Sequence, residues 1–330
     1  FRELRKRLET EGQTFNGHSD TEVLLNLYLA DGEAILSQLN GIFAFALWDS
    51  RKQLLLIARD ALGVKPLYYA SLNGCFAFAS EIKALLQLVP EVREMDVAAL
   101  HRYLSFLWCP GEGTPLKDVR KLGPGEAMWV RAGHIERRWT WYQLPVFRGV
   151  SASLDKASAL EGTTSHLRQA VQRQMVADVP LGAFLSGGLD SSAIVAFARE
   201  IKPDIHCFTI ESVGGHEEGL TNDLPYARKV AQRLGVPLEV VSIDAKRMAG
   251  DLESMVAQLD EPLADPAPLN VLYICQLARK QGIKVLLSGA GGDDLFTGYR
   301  RHRAVQAERY WRWLPHGVRS YLSQLTAGLD

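Results

Sequence analysis

Two short segments carry residues whose types and spacing could do chemistry. The first, over 181–200, reads LGAFLSGGLDSSAIVAFARE: an apolar run, a tight polar loop Ser186-Gly187-Gly188-Leu189-Asp190-Ser191-Ser192, then helix-forming residues. Lacking Cβ atoms, Gly187 and Gly188 let backbone N–H groups approach an anion closely, and the start of the following helix adds partial positive charge. Such a loop suits phosphate. It is not a Walker loop, which needs a Lys before its Ser or Thr, nor a serine-hydrolase elbow, which needs a Gly where this chain has Phe184. The second segment, Leu287-Ser288-Gly289-Ala290-Gly291-Gly292-Asp293-Asp294, also follows an apolar run. Paired carboxylates beside a phosphate loop suit Mg²⁺, a hard cation that bridges phosphate oxygens, and Asp190 and Asp293 are the candidate ligands. Taken singly, each loop is also readable as a glycine turn before a capped helix, with Asp190 or Ser191 as the cap of the first.

The elements that must position these loops alternate. From residue 160 onward the pattern predicts helix 160–177, strand 181–185, helix 191–200, strand 205–210, helix 224–235, strand 238–243, helices 246–259 and 268–281, and strand 283–288. That alternation predicts a parallel sheet covered by helices. The first half is different. Residues 20–30 have helical spacing, whereas GIFAFALWD, QLLLIARD, LYYAS and CFAFAS are short β-rich runs between turn residues, an α plus antiparallel β pattern. Between about 107 and 160 a Gly-, Pro- and Trp-rich stretch reads as a short hairpin and a connector, placing a domain boundary near residue 150. The expected domains are therefore 1–150 and 151–330.

The 330 residues are 47% hydrophobic and 23% charged, which excludes collagen-like, disordered and disulfide-scaffold classes. With 37 basic against 38 acidic residues, no global attraction to nucleic acid or anionic membrane is expected. The four cysteines, Cys75, Cys109, Cys207 and Cys275, are too widely spread for a zinc pattern or a disulfide framework, so reduced thiols and a cytoplasmic location are expected. No apolar stretch approaches the roughly 20 residues of a membrane helix. Arg300, Arg301, Arg303, Arg309, Arg312 and Arg319, with Trp311 and Trp313, read as a solvated helix face rather than a nucleic-acid surface. His101, His134 and His302 have no ligand spacing.

SGGLDSS resembles the pyrophosphate loop of ATP pyrophosphatases, enzymes that split ATP between its α and β phosphates and adenylate a carbonyl oxygen. With the second loop, and with Asp260-Glu261-Pro262 followed by Asp265-Pro266, the resemblance narrows to the glutamine-dependent asparagine synthetase family. The first 150 residues fit it through Ser19-Asp20-Thr21-Glu22, GIFAFALWD, Ala58-Arg59-Asp60 and Gly63-Val64-Lys65-Pro66-Leu67-Tyr68-Tyr69, so that it runs from the start to about residue 303. It implies a partial N-terminal-nucleophile (class II) glutamine amidotransferase domain, then a partial ATP pyrophosphatase domain of the adenine nucleotide alpha hydrolase-like type. It implies ATP contacts at Leu185, Ser186, Gly187, Gly188, Asp190 and Ser191, with Ile210 beside the adenine, and further contacts at Ser288 and Gly289. Asp293 and Asp294 would serve Mg²⁺ and pyrophosphate. Asp20 matches the residue holding the α-amino group of glutamine, as a buried ammonium needs an anionic partner; helix N-cap is a compatible reading.

The implied activity makes asparagine, AMP, pyrophosphate and glutamate from aspartate, ATP and glutamine or ammonia, in a protein for which a homodimer is allowed. The chain departs from the pattern at several points. The family's glutaminase nucleophile is an N-terminal Cys, served by an Arg, an Asn and a Gly, but here residue 1 is Phe and no Cys precedes Cys75. The chain is accordingly expected to be a piece of a longer protein, without glutaminase activity of its own. Ala290 stands where the family usually has an acidic residue that assists acyl-adenylate formation, and Asp294 replaces a more usual Glu. The family's catalytic Lys would fall well after residue 330. Ala290 motivates a first alternative, a specialised amidotransferase or β-lactam-synthetase-like ligase acting on another carboxylate. A catalytically silent paralogue kept as an interaction scaffold is the second, and the retained glycines and carboxylates speak against it.

Overall fold

Short antiparallel strands joined by tight turns build the first part of the chain. The computed structural model describes residues 1–145, 155–213, 223–265, 267–307, 310, 313–315 and 317–319. They fall into two compact units, Phe1–Val150 with Val256–Asp265, and Ser151–Met255 with Pro266–Asp330. The boundary expected near residue 150 lies outside the described residues, as do Arg309, Trp311 and Arg312 of the basic C-terminal segment.

In the first unit α1 (Arg2–Thr10) and α2 (Asp20–Asp31) precede β1 (Ala44–Asp49), β2 (Leu54–Arg59), β3 (Tyr68–Leu72) and β4 (Cys75–Ala79). Then come α3 (Ile82–Leu88), α4 (Val97–Phe106), β5 (Val119–Lys121), β6 (Glu126–Arg131) and β7 (His134–Thr140). They form two antiparallel sheets, β1-β2-β6-β7 and β4-β3-β5. Two-residue turns with positive φ at both positions close the β3–β4 hairpin at Asn73-Gly74 and the β6–β7 hairpin at Ala132-Gly133, matching the right-handed twist of the strands. Along β2 successive side chains face opposite sides: Leu56 and Ala58 pack with Leu8, Val23 and Leu27 of the helices, while Ile57 packs with Leu67, Tyr69 and Met128. This helix-plus-antiparallel character is the one the sequence predicts. The short hairpin expected within 107–160 is β6–β7, whose second strand is mostly exposed and polar.

The second unit contains α5 (Lys156–Gln174), β8 (Leu181–Phe184), α6 (Leu189–Ile201), β9 (Cys207–Val213), α7 (Leu224–Leu234), β10 (Leu238–Asp244) and α8 (Ala245–Gln258), whose last turn groups with the first unit. It continues with α9 (Ala267–Lys280), β11 (Val285–Leu287), α10 (Gly292–Phe296) and α11 (Arg300–Ala307). The strands form a parallel sheet in the order β10-β9-β8-β11. Helices cover both faces. Leu181, Ala183 and Leu185 pack with Val195, Ala198, Ala227 and Ala231 of α6 and α7, while Phe184, Phe208 and Ile210 pack with Ile274 and Ala278 of α9. In chain order the four strands lie third, second, first, fourth, so the winding reverses between β8 and β11. In such sheets ligands bind at the carboxyl ends of the strands where the order reverses, and there both chemically suggestive loops begin.

Candidate active site

The first loop leaves β8 at Leu185, the residue after the strand, whose side chain is 1% exposed in the core and whose N–H donates to Phe208 O at 2.9 Å. Leu185 therefore presents only its main chain to the loop. Gly187 has φ +83°, and a Cβ there would strike the backbone of Tyr226 and come within 2.5 Å of Ala227 N, so a side chain is excluded. The start of α7 is thus a wall of the loop, which the sequence did not reveal. The serines brace the turn. Ser186 Oγ accepts from Gly188 N at 3.3 Å and lies 3.0 Å from Ser191 Oγ, while Ser191 and Ser192 donate to Gly188 O at 3.2 and 2.7 Å. Neither Asp190 nor Ser191 caps α6: Gly188 holds the cap position without a side-chain bond, leaving the positive helix end uncovered.

The second loop lies against the first. A Cβ on Gly289 would sit 2.9 Å from Ser191 N and 3.1 Å from Asp190 Cβ, and one on Gly292 would collide with the Asp190 carboxylate. Gly298 likewise has the Asp293 carboxylate against its Cα. Burial, and then the charge of Asp293, raise the pKa of Asp190 above the ordinary carboxylate value. The structure therefore brings together Ser186, Gly187, Asp190, Ser191, Gly289 and Asp293. Ser288, Ala290 and Asp294 are exposed at the rim, with Ser288 Oγ accepting from Ala290 N at 3.1 Å. Ile210 is half-buried on β9 within the apolar cluster beneath α9.

No group of three or more His, Cys, Asp or Glu among the described residues could hold a metal ion. The Asp190–Asp293 pair fits Mg²⁺ all the same, because that ion takes one or two carboxylates and completes its shell with phosphate oxygens and water.

In the first unit Asp20 is exposed at the first position of α2. The N-cap is Ser19, whose Oγ accepts from Glu22 N at 3.2 Å, so the capping role read for Asp20 passes to its neighbour. Ala58-Arg59-Asp60 forms a closed knot. Asp60 is 1% exposed and accepts the N–H groups of Leu62, Val64 and Lys65 at 3.1, 2.9 and 2.9 Å. Arg59 donates to the carbonyls of Gly63, Lys65 and Leu122, each at 2.6 Å. Glu261, part of the segment 256–265 that groups with this unit, accepts from Tyr68 Oη at 2.9 Å and Lys121 Nζ at 2.8 Å. Burial and the Glu261 charge push the Tyr68 hydroxyl up. Glu261 is an anchor with its oxygens occupied.

A doubly wound nucleotide-loop unit of the ATP-pyrophosphatase type following a glutaminase-type domain defines the class. Residues 162–329 match the asparagine synthase family model and residues 1–142 the glutamine amidotransferase domain model, so the chain belongs to the asparagine synthase family. It is 36% identical over 325 residues to asparagine synthetase (glutamine-hydrolyzing) 1 of Bacillus subtilis, covering 98% of this chain and 50% of that protein. It is also 36% identical over 334 residues to a putative asparagine synthetase (glutamine-hydrolyzing) of Mycobacterium tuberculosis, covering 100% and 50%. To the amidase chyE of Penicillium rubens it is 31% identical over 319 residues, covering 91% and 46%. The chain thus spans about half the length of these curated relatives. Among the described residues no helix is long and apolar enough to cross a membrane.

Proposed function

We propose that the protein is an ATP-dependent amide-forming ligase of the asparagine synthetase type. The observation that carries this reading is the meeting of two glycine-and-carboxylate loops where the parallel sheet reverses its winding. An acceptor carboxylate oxygen attacks the α phosphorus of ATP, the bond to the α–β bridging oxygen breaks, and pyrophosphate leaves. The uncovered start of α6 and the main chain of Ser186–Gly188 stabilise the charge that gathers on the leaving group. Asp190 and Asp293 would hold Mg²⁺, which when bound offsets phosphate charge. Leu185 through its main chain, Ile210, Ser191, Ser288 and Gly289 line the nucleotide, and Asp294 stands beside the pyrophosphate. Ammonia then attacks the acyl carbon, AMP departs, and a proton is lost as the amide forms. Asp20 takes the α-ammonium of glutamine, whose hydrolysis supplies ammonia and glutamate. The two relatives named asparagine synthetase, each 36% identical, support aspartate as the acceptor.

Ala290 favours a second reading, with another carboxylate as acceptor, and the amidase name of a 31% identical relative agrees with it. One well-placed polar group is worth about 3 kcal/mol in the transition state, or about a hundredfold in rate. The test is AMP and pyrophosphate formation by the complete gene product with aspartate and ammonia, unmodified and as Ala290→Glu. Poor turnover with partial gain in the variant supports the second reading. Efficient asparagine formation by the unmodified enzyme removes it, and failure to bind MgATP at all sinks both.

A further inference from the structure

Ser19-Asp20-Thr21-Glu22 has the spacing of a capping box, in which the Ser takes the N–H of the residue three on and the Glu returns to the Ser's own N–H. The first half is formed, through Ser19 Oγ and Glu22 N. The second half is diverted. Glu22 Oε1 accepts the Asn16 N–H at 2.6 Å and Oε2 the Gly17 N–H at 2.8 Å, so the carboxylate grips the turn ahead of the cap. The carbonyl of Gly17 is held from the other side by Arg5 Nη1 at 2.7 Å. Arg5 is itself fixed, donating from Nε to Glu9 at 2.8 Å and lying 4.3 Å from the centre of the Phe15 ring. The two backbone N–H groups also hold the Glu22 carboxyl below its ordinary pKa, in the ionised form that can accept both. Asp20 stands one residue beyond this clamp. Among the described residues its carboxylate accepts only from Thr21, through N–H at 2.8 Å and Oγ1 at 3.4 Å, both on Oδ1. Oδ2 is open to a ligand.

We propose that Glu22, assisted by Arg5, is a positioning residue that fixes the 15–19 turn so that Asp20 meets the primary ammonium group of an amino-acid substrate. This rests on the reading of Asp20 as the contact to the α-ammonium of glutamine. A carboxylate on a fixed turn binds without first losing the freedom of that turn, and the gain appears as affinity.

The test uses the complete gene product with glutamine as substrate and amide hydrogen exchange as a second readout. Glu22→Gln keeps the shape but presents a donor to one of the two N–H groups. Exchange at Asn16 and Gly17 is expected to rise, and KM for glutamine to rise about tenfold, the worth of one hydrogen bond to a charged group, with kcat at saturation within about twofold. Arg5→Met, which frees the Gly17 carbonyl, is expected to raise KM by a smaller factor and keeps the test available if Glu22→Gln does not fold. Asp20→Asn is the reference. If it leaves KM for glutamine unchanged, the reading of Asp20 fails, whatever happens at Asn16 and Gly17. If it raises KM while Glu22→Gln speeds exchange and leaves KM untouched, the positioning role alone is overturned.

Discussion

Each unit carries an aspartate soon after an apolar strand, Asp60 in the turn that follows β2 and Asp190 where the loop after β8 enters α6, and the two loops use it in opposite ways. Asp60 is saturated by its own backbone: three N–H groups fill its oxygens, and the neighbouring Arg59 binds three carbonyls of the surrounding turns. Asp190 accepts no hydrogen bond from the described residues, is pressed against Gly289 and Gly292, and faces the charge of Asp293. A buried acid whose acceptors are filled from within is scaffold. One whose surroundings penalise its charge calls for a partner the protein itself does not supply. Residue type alone does not tell the two roles apart, since both are aspartates that follow an apolar strand.

The largest effect is expected at Asp60. Asp60→Ala removes the buried acceptor of three partly buried backbone N–H groups, and at about 1–3 kcal/mol for each unsatisfied group the first unit should lose about 4 kcal/mol. Asp60→Asn, which keeps one acceptor oxygen, should lose less. Urea unfolding with probes in the first unit measures both, and a change under about 1 kcal/mol for Asp60→Ala would remove the distinction between the loops.

Asp190→Asn should behave in the reverse sense. Removing a charge that burial and Asp293 disfavour leaves the unfolding midpoint of the second unit unchanged or raised. Pyrophosphate release with MgATP should fall about a hundredfold, because one anionic partner of the metal is lost. Unchanged release by a folded variant takes Asp190 out of the site. A large loss of stability would make its loop scaffold like the other.

The alternation of the second unit was legible because helix and strand periods differ and each switch is marked by glycine or charge. Its strands β8, β9, β10 and β11 fall within or close to the runs read from the sequence. The helices α3 and α4 were not foreseen, since α3 has only 7 residues, too few to show a period, and α4 leaves Val97 77% and Leu104 74% exposed, which blurs its buried stripe. Nothing local could show that Glu261 would meet Tyr68 and Lys121, which lie 193 and 140 positions away. The motif Asp260-Glu261-Pro262 was visible, but its use as an anchor in the first unit was not. Nor could the letters tell that Glu22 reaches past the cap to Asn16 and Gly17, because a complete capping box has the same sequence.

The smallest effects come from one methyl group in each loop, and they should separate stability from function. Gly63 has φ +66°, and a Cβ there would lie 2.9 Å from Pro124 Cγ and 3.2 Å from Arg59 Cζ. Gly63→Ala therefore combines left-handed backbone strain with a rigid neighbour, and the first unit should lose about 2 kcal/mol. Gly292 begins α10 without positive φ, so Ala costs the backbone nothing and gains helix propensity, up to about 1 kcal/mol. Its methyl, however, would occupy the place of the Asp190 carboxylate, which must turn away. Gly292→Ala should thus leave the unfolding midpoint nearly unchanged while raising the Mg²⁺ concentration needed for half-maximal ATP binding about tenfold, as expected when one charged ligand is displaced. Unfolding curves and Mg²⁺ titrations of nucleotide binding on both variants decide the matter. Should Gly292→Ala unfold its unit as readily as Gly63→Ala unfolds the other, Asp190 sits in a packed turn and the contrast between the loops is lost.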